Sequence, residues 1–209
     1  MISKFKNILV LAPHTDDGEL GAGGTISKLI ENGTKVTYVA FSIAEESVPD
    51  GLPKNILESE VKEATKRLGV YNLIVFKYPV RKLNFSRQDI LENLIKIRNN
   101  GNFDAVLIPS LKDVHQDHNT IAQEGVRAFK NTTIFGYELI WNNLSFDAQC
   151  FVKLEKRHID DKVNALKAYK SQGFRSYLSE EFIFSLAKTR GVQIGSDYAE
   201  AFEVIRLVI

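Results

Sequence analysis

The sequence predicts an α/β fold in which a mostly parallel, twisted sheet is flanked by helices. Apolar runs of strand length alternate with helically spaced segments through most of the 209 residues. Those runs are apolar at nearly every position, the pattern of strands covered on both faces. No repeat, low-complexity tract or linker interrupts the chain, so one domain over residues 1–209 is expected.

Residues 8–12 form the first such run, and residues 22–32 read as a helix stopped by Asn32 and Gly33. Residues 35–42 are β-branched and aromatic, the mark of a second strand. Right-handed crossover makes the two strands parallel neighbours. Pro49, Asp50, Gly51 and Pro53 identify residues 44–55 as a loop. Ile56, Leu57, Val61, Ala64 and Leu68 then recur at helical spacing up to Gly69. Strands are predicted at 72–78, 103–109 and 133–137, with helices at 88–99, 119–131 and 160–171. Residues 201–209 alternate only partly and are expected to form an edge strand.

Composition narrows the function. Hydrophobic residues at 44% and charged residues at 25% are ordinary globular values. A formal net charge of +1 supplies no field for nucleic acid or an anionic membrane, which favours a small-molecule partner. The single cysteine, Cys150, excludes an intramolecular disulfide and a thiolate-rich metal site; it reads as a small buried hydrophobe in a cytoplasmic protein. Two lysines precede the first apolar run. That run meets Asp16, Asp17 and Glu19 too soon to span a bilayer or act as an export signal.

Two segments concentrate the chemistry: LVLAPHTDDGELGAGG at 9–24 and PSLKDVHQDH at 109–118. Each follows an apolar strand-like run, so both lie at the carboxyl ends of parallel strands, where open α/β sheets bind ligands. A catalytic divalent metal needs three protein ligands and an open position for water. His14, Asp17 and one of His115 and His118 would supply them, and the spacing alone does not choose between the two histidines. Asp16 is then placed as general base, and the remaining histidine as acid or oxyanion donor. Asp113 and Asp117 are candidates to orient an imidazole through its other nitrogen. Histidine and carboxylate ligands suit zinc, iron(II) or another divalent metal.

PHTDDGELGAGGTISKL and DVHQDH resemble the two motifs of the PIG-L/LmbE-like metal-dependent de-N-acetylases. Residues 159–172 (IDDKVNALKAYKSQ) and 198–208 (YAEAFEVIRLV) extend the similarity over nearly the whole chain. The resemblance implies a Rossmann-like fold, with His14, Asp17 and His118 as zinc ligands, Asp16 as base and His115 as acid or oxyanion stabiliser. It also implies a zinc-dependent hydrolase that removes an N-acetyl or other small N-acyl group from an amino sugar or its conjugate. Arg190, Tyr198 and Glu200 fall in the C-terminal part of the resemblance, as a hydrogen-bond network or substrate contacts. Many members carry an arginine where this chain has Leu57, three before Glu60, so Lys54 or Arg81 becomes a candidate replacement. Thr15 stands where proline is common.

Other readings compete. GAGG at 21–24 suggests a nucleotide-binding loop but lacks the G-x-G-x-x-G spacing, so close packing of the first helix is expected instead. A metal-binding pseudoenzyme of the same family would keep the ligands without turnover. Trp141, Tyr137 and Phe146 read as core, and His158 as a surface or helix-capping residue. A homo-oligomer is left open.

Overall fold

The computed structural model describes residues 5–208; Met1–Lys4, including one of the two N-terminal lysines, and Ile209 lie outside the described residues. One seven-stranded sheet gathers strands from the full length. It comprises β1 (Asn7–Ala12), β2 (Lys35–Ala40), β3 (Asn72–Val75), β4 (Ala105–Pro109), β5 (Thr133–Tyr137), β6 (Cys150–Leu154) and β7 (Tyr198–Arg206). The order is β3-β2-β1-β4-β5-β7-β6. The first five strands run parallel, as their apolar runs predict. β7 pairs antiparallel with β5 and β6.

The helices are α1 (Asp17–Glu31), α2 (Ile56–Leu68), α3 (Arg87–Asn100), α4 (Gln116–Ala128), α5 (Lys156–Leu166) and α6 (Glu180–Val192). Alternation along β1 divides the core. Ile8, Val10 and Ala12 face a cluster that includes residues of α1, α2, α5 and α6, whereas Leu9 and Leu11 face one that includes residues of α3 and α4. Such side chains each contribute about 1.5–3 kcal/mol on burial, which fixes the register of the central strands.

Two expectations are corrected here. The C-terminal strand is not at an edge: β7 lies between β5 and β6, and the unpredicted β6 takes the edge. β6 escapes sequence reading because CFVKL is short and only partly buried. The first helix also begins five residues earlier than predicted, at Asp17. Gly18, Gly21, Gly23 and Gly24 each lower intrinsic helix propensity by about 1 kcal/mol relative to Ala, yet tertiary packing requires them. A Cβ on Gly21 would collide with the Tyr137 ring, and one on Gly23 would lie 2.8 Å from Lys162 Cγ. GAGG is therefore a buried packing surface inside α1, not a phosphate-cradling loop.

α6 leaves little periodic signal in the sequence, with only Ile183, Ala187 and Gly191 buried; Ser179 Oγ caps it by accepting from the Phe182 backbone N–H at 3.2 Å. Among the described residues no helix is long and apolar enough to cross a membrane.

Candidate metal centre and active site

β1 hydrogen-bonds to β2 on one side and to β4 on the other, so the chain leaves β1 and β4 in opposite directions. This reversal opens a crevice at the carboxyl ends of the two strands. His14, Asp16 and Asp17 follow β1, while Asp113, His115 and His118 follow β4. The amino ends of α1 and α4 converge there, with Asp16 and His115 in the N-cap positions. The crevice is a cavity of about 250 Å³ whose lining includes His14, Asp16, Asp17, His115 and His118.

Three donor atoms form a small triangle. His14 Nδ1 lies 3.1 Å from Asp17 Oδ2, His118 Nε2 lies 3.3 Å from the same oxygen, and the two ring nitrogens are 3.2 Å apart. Donors about 2.0–2.1 Å from a tetrahedral zinc are separated by roughly 3.3–3.4 Å, so these three residues could hold one such ion on one face. Both imidazoles are also held from behind. His118 Nδ1 is 2.7 Å from Asp113 Oδ2, and His14 Nε2 is 3.1 Å from Asp117 Oδ2. Carboxylates in those places fix the tautomers that turn His118 Nε2 and His14 Nδ1 toward the shared point.

The supporting carboxylates are themselves anchored. Asp113 accepts the His115 backbone N–H at 2.8 Å, and Asp117 accepts those of Arg81 at 2.5 Å and Leu83 at 3.2 Å. Arg81 has a left-handed backbone, φ 64°, and its anchored N–H holds that conformation at the cavity edge.

The electrostatics favour a cation. Burial opposes charge on His14, but Asp17 and the bond to Asp117 raise its pKa to about 9. Burial likewise opposes charge on His118, yet Asp17 and Asp113 raise it to about 10. Burial works against an ionised Asp17, and the two imidazoles overcome it, holding this carboxyl well below its usual range. Asp16 differs from its neighbour: burial and the adjacent Asp17 charge push it up to about 6, suiting it to accept a proton near neutrality.

A third imidazole, that of His115, has a ring nitrogen within 4.8 Å of those of His14 and His118. Its Nδ1 accepts the Asp117 backbone N–H at 3.2 Å, leaving Nε2 as the protonated nitrogen of the neutral ring. Burial and the neighbouring imidazoles lower its pKa to about 4, so it remains a neutral donor.

Behind the loop, Tyr38 and Tyr169 both point at Thr15 O, at 3.0 and 2.7 Å, and both reach buried Glu19. Each hydroxyl has one proton for two acceptors, and burial raises Glu19 to about 8, so a protonated Glu19 adds one further donor to this set.

The other expected residues take these places. Arg190 Nε donates to Glu138 Oε2 at 2.9 Å in a largely buried ion pair. The Tyr198 ring packs edge-on against Phe184 with centroids 5.7 Å apart. Neither lines the cavity, so structural bonding rather than substrate contact accounts for both. Glu200 pairs with Lys162 at 2.7 Å and accepts the backbone N–H groups of Gly24 and Thr25. Leu57 is buried in the cavity wall; of its two candidate replacements Arg81 reaches the lining and Lys54 does not.

Trp141 is not core. It is 38% exposed, lines the cavity and stacks on Tyr177 with centroids 4.2 Å apart and planes 10° apart. Tyr137 is the core residue of that group. His158 does cap a helix, accepting the Glu155 backbone N–H at 2.9 Å, but it is buried rather than on the surface. Arg175 and Tyr177 escape the sequence reading; their one signal is a position just beyond the 159–172 segment.

The family model described as PIG-L, GlcNAc-PI de-N-acetylase, matches residues 9–129, which hold both motif loops. An uncharacterized deacetylase of Escherichia coli K12, YaiS, is 29% identical over 175 residues, covering 81% of this chain and 93% of the relative. N,N'-diacetylchitobiose deacetylase from Pyrococcus horikoshii superposes with a TM-score of 0.81 at 22% identity, covering 98% of this chain and 85% of that one. GalB, a 4-carboxy-2-hydroxymuconate hydratase from Pseudomonas putida, has the same fold, with a TM-score of 0.80 at 20% identity over 98% of both chains. The fold alone therefore does not select the reaction. Taken with the two loops at the β1/β4 reversal, the match over residues 9–129 makes the chain a member of the PIG-L family of de-N-acetylases.

Proposed function

We propose that this protein is a metal-dependent hydrolase that removes an acetyl or other small acyl group from the nitrogen of an amino sugar or its conjugate. The observation that carries the reading is the triangle of His14, Asp17 and His118, with donor separations of 3.1–3.3 Å and a carboxylate behind each imidazole. These three residues would hold zinc, or iron(II) in its place. A divalent ion there supplies Lewis acidity toward the amide carbonyl and acidifies water.

The chain's own residues complete the chemistry. Asp16, raised to about 6, accepts the proton of the attacking water while remaining largely ionised at neutral pH. The water oxygen bonds to the amide carbon, and charge grows on the carbonyl oxygen. His115 Nε2–H donates toward that oxygen, its orientation set by the cap bond at Nδ1. The C–N bond then breaks, and the nitrogen leaves as the amine with the proton taken from water. Asp113 and Asp117 bond to protein rather than to substrate and act by positioning. A small soluble amino-sugar conjugate in the cytoplasm is the partner that fits this reading.

The competing nucleotide-binding reading is disfavoured by two carboxylates, Asp16 and Asp17, at the start of α1 where a phosphate would have to sit. Elemental analysis joined to acetate release from a panel of N-acetylated sugars tests the proposal. About one divalent ion per chain and acetate from at least one sugar are expected, with turnover lost on chelation and restored by zinc or iron(II). Full turnover in protein proven metal-free would sink it. A metal-loaded protein that releases acetate from none of the sugars would point instead to the pseudoenzyme.

A further inference from the structure

Arg175 brings a positive charge into the same cavity without a carboxylate partner among the described residues. The residue is half-buried, and its guanidinium lies 5.2 Å from the Phe174 ring centre and 5.7 Å from that of Tyr177. The other arginine of the lining, Arg81, has a carboxylate within reach, Glu46 at 3.5 Å. A partly desolvated charge left unpaired is costly, and a site that retains one gains when an anion arrives.

The arginine is also held in place. Its Nε donates to Gln172 Oε1 at 2.7 Å, and the Gln172 amide nitrogen donates to Ser171 Oγ at 3.3 Å. Ser171 in turn donates to Glu60 of α2 from its backbone nitrogen, at 2.9 Å, and from its hydroxyl, at 2.6 Å. Gln172, Ser171 and Glu60 are all buried. The inner nitrogen is thus committed to the scaffold, while the two outer amino groups form the fork that suits a carboxylate or phosphate. The Trp141–Tyr177 stack beside it offers an apolar aromatic wall of the kind that packs on a sugar ring. Arg175 and Asp16 line the same cavity, so fork and proposed base face one space.

We propose that Arg175 reads an oxyanion, a carboxylate or a phosphate, carried by the substrate, making the preferred substrate an anionic amino-sugar conjugate. This rests on the de-N-acetylase reading for the word substrate, but the binding it claims is measurable without turnover. The test is calorimetric titration of the zinc-supplemented full chain with glucosamine, glucosamine 1-phosphate, glucosamine 6-phosphate and muramic acid, none of which has an acyl group to lose. The same titrations are run on Arg175→Met, which keeps the aliphatic stem against the aromatics, and on Arg175→Lys, with circular dichroism confirming the fold.

At least one anionic sugar should bind roughly tenfold or more tightly than glucosamine, as expected for a charge-assisted fork. The preference should vanish in Arg175→Met and survive in part in Arg175→Lys. The phosphate and carboxylate arms tell which oxyanion is read. Absence of any anionic preference in the wild type overturns the assignment. So does a variant that weakens neutral and anionic sugars by one factor, because Arg175 would then act only through Asp16 or the loop. Acetate release from the N-acetylated counterparts separates the two proposals. A lost preference with no acetate from any sugar leaves Arg175 standing and removes the de-N-acetylase, whereas acetate released with no preference does the reverse.

Discussion

Two buried polar clusters lie at opposite ends of the first turns of α1, and they solve the same electrostatic problem differently. At the helix start, His14, Asp17 and His118 turn three donor atoms toward one point and leave it open to the cavity. Further along, Lys162 Nζ enters the helix, donating to Leu20 O and to Glu200 Oε1, each at 2.7 Å, while Glu200 accepts from Gly24 and Thr25. In the second cluster each charge meets its counter-charge and backbone partners inside the protein. In the first, the carboxylates draw positive charge to a point shared by three donor atoms at the cavity wall. Convergence of donors on an accessible point, rather than burial or charge, separates chemistry from architecture.

Substitutions can break or sharpen that contrast, beginning with the largest effect. Asp16→Asn should lower kcat by about 10²–10⁴, the usual worth of a general base, while elemental analysis still finds the metal. Loss of metal together with activity would instead make Asp16 a ligand. In the architectural cluster, Lys162→Met leaves the Glu200 carboxylate buried and unpaired, which should cost about 3–5 kcal/mol in urea unfolding. Metal bound per folded molecule should not change; a fall would show that the two clusters are one functional unit.

Asp113→Asn keeps the shape beside His118 but removes the charge behind it. Competition with a chromogenic chelator should report about 10–100-fold weaker metal binding, with little change in stability. Gly21→Ala drives a Cβ into the Tyr137 ring between the two clusters, and unfolding should report a loss of about 1–3 kcal/mol. An unchanged midpoint for this variant would mean that α1 can shift off the sheet, contrary to the role given to GAGG.

The parallel half of the fold is legible because its central strands β1, β4 and β5 are buried along almost their whole length and end at recognisable breaks. The antiparallel extension is not. β6 is short and half-exposed, and α6 has its buried side confined to Ile183, Ala187 and Gly191, so neither leaves a strong periodic trace. The start of α1 is hidden for a related reason: Gly18 and Gly21 argue locally against a helix, and only the side chains of Tyr38 and Tyr137 pressing on them explain their presence.

The sequence by itself determined the residues that matter most to the candidate site. Histidine and aspartate spaced three apart, placed after two apolar strands, are a local pattern, and local patterns survive without coordinates. Only the tertiary structure decided how those residues divide their work. Asp113 and Asp117 stand behind different histidines, His115 Nδ1 is tied to a helix cap, and Arg190 is tied to Glu138. Arg175 and Tyr177, after α5, and Trp141, after β5, reach the cavity from two segments that carry no motif. His14 and Asp117 are 103 positions apart and Arg190 and Glu138 are 52 apart, so these contacts depend on where the sheet returns the chain, and no local spacing encodes that.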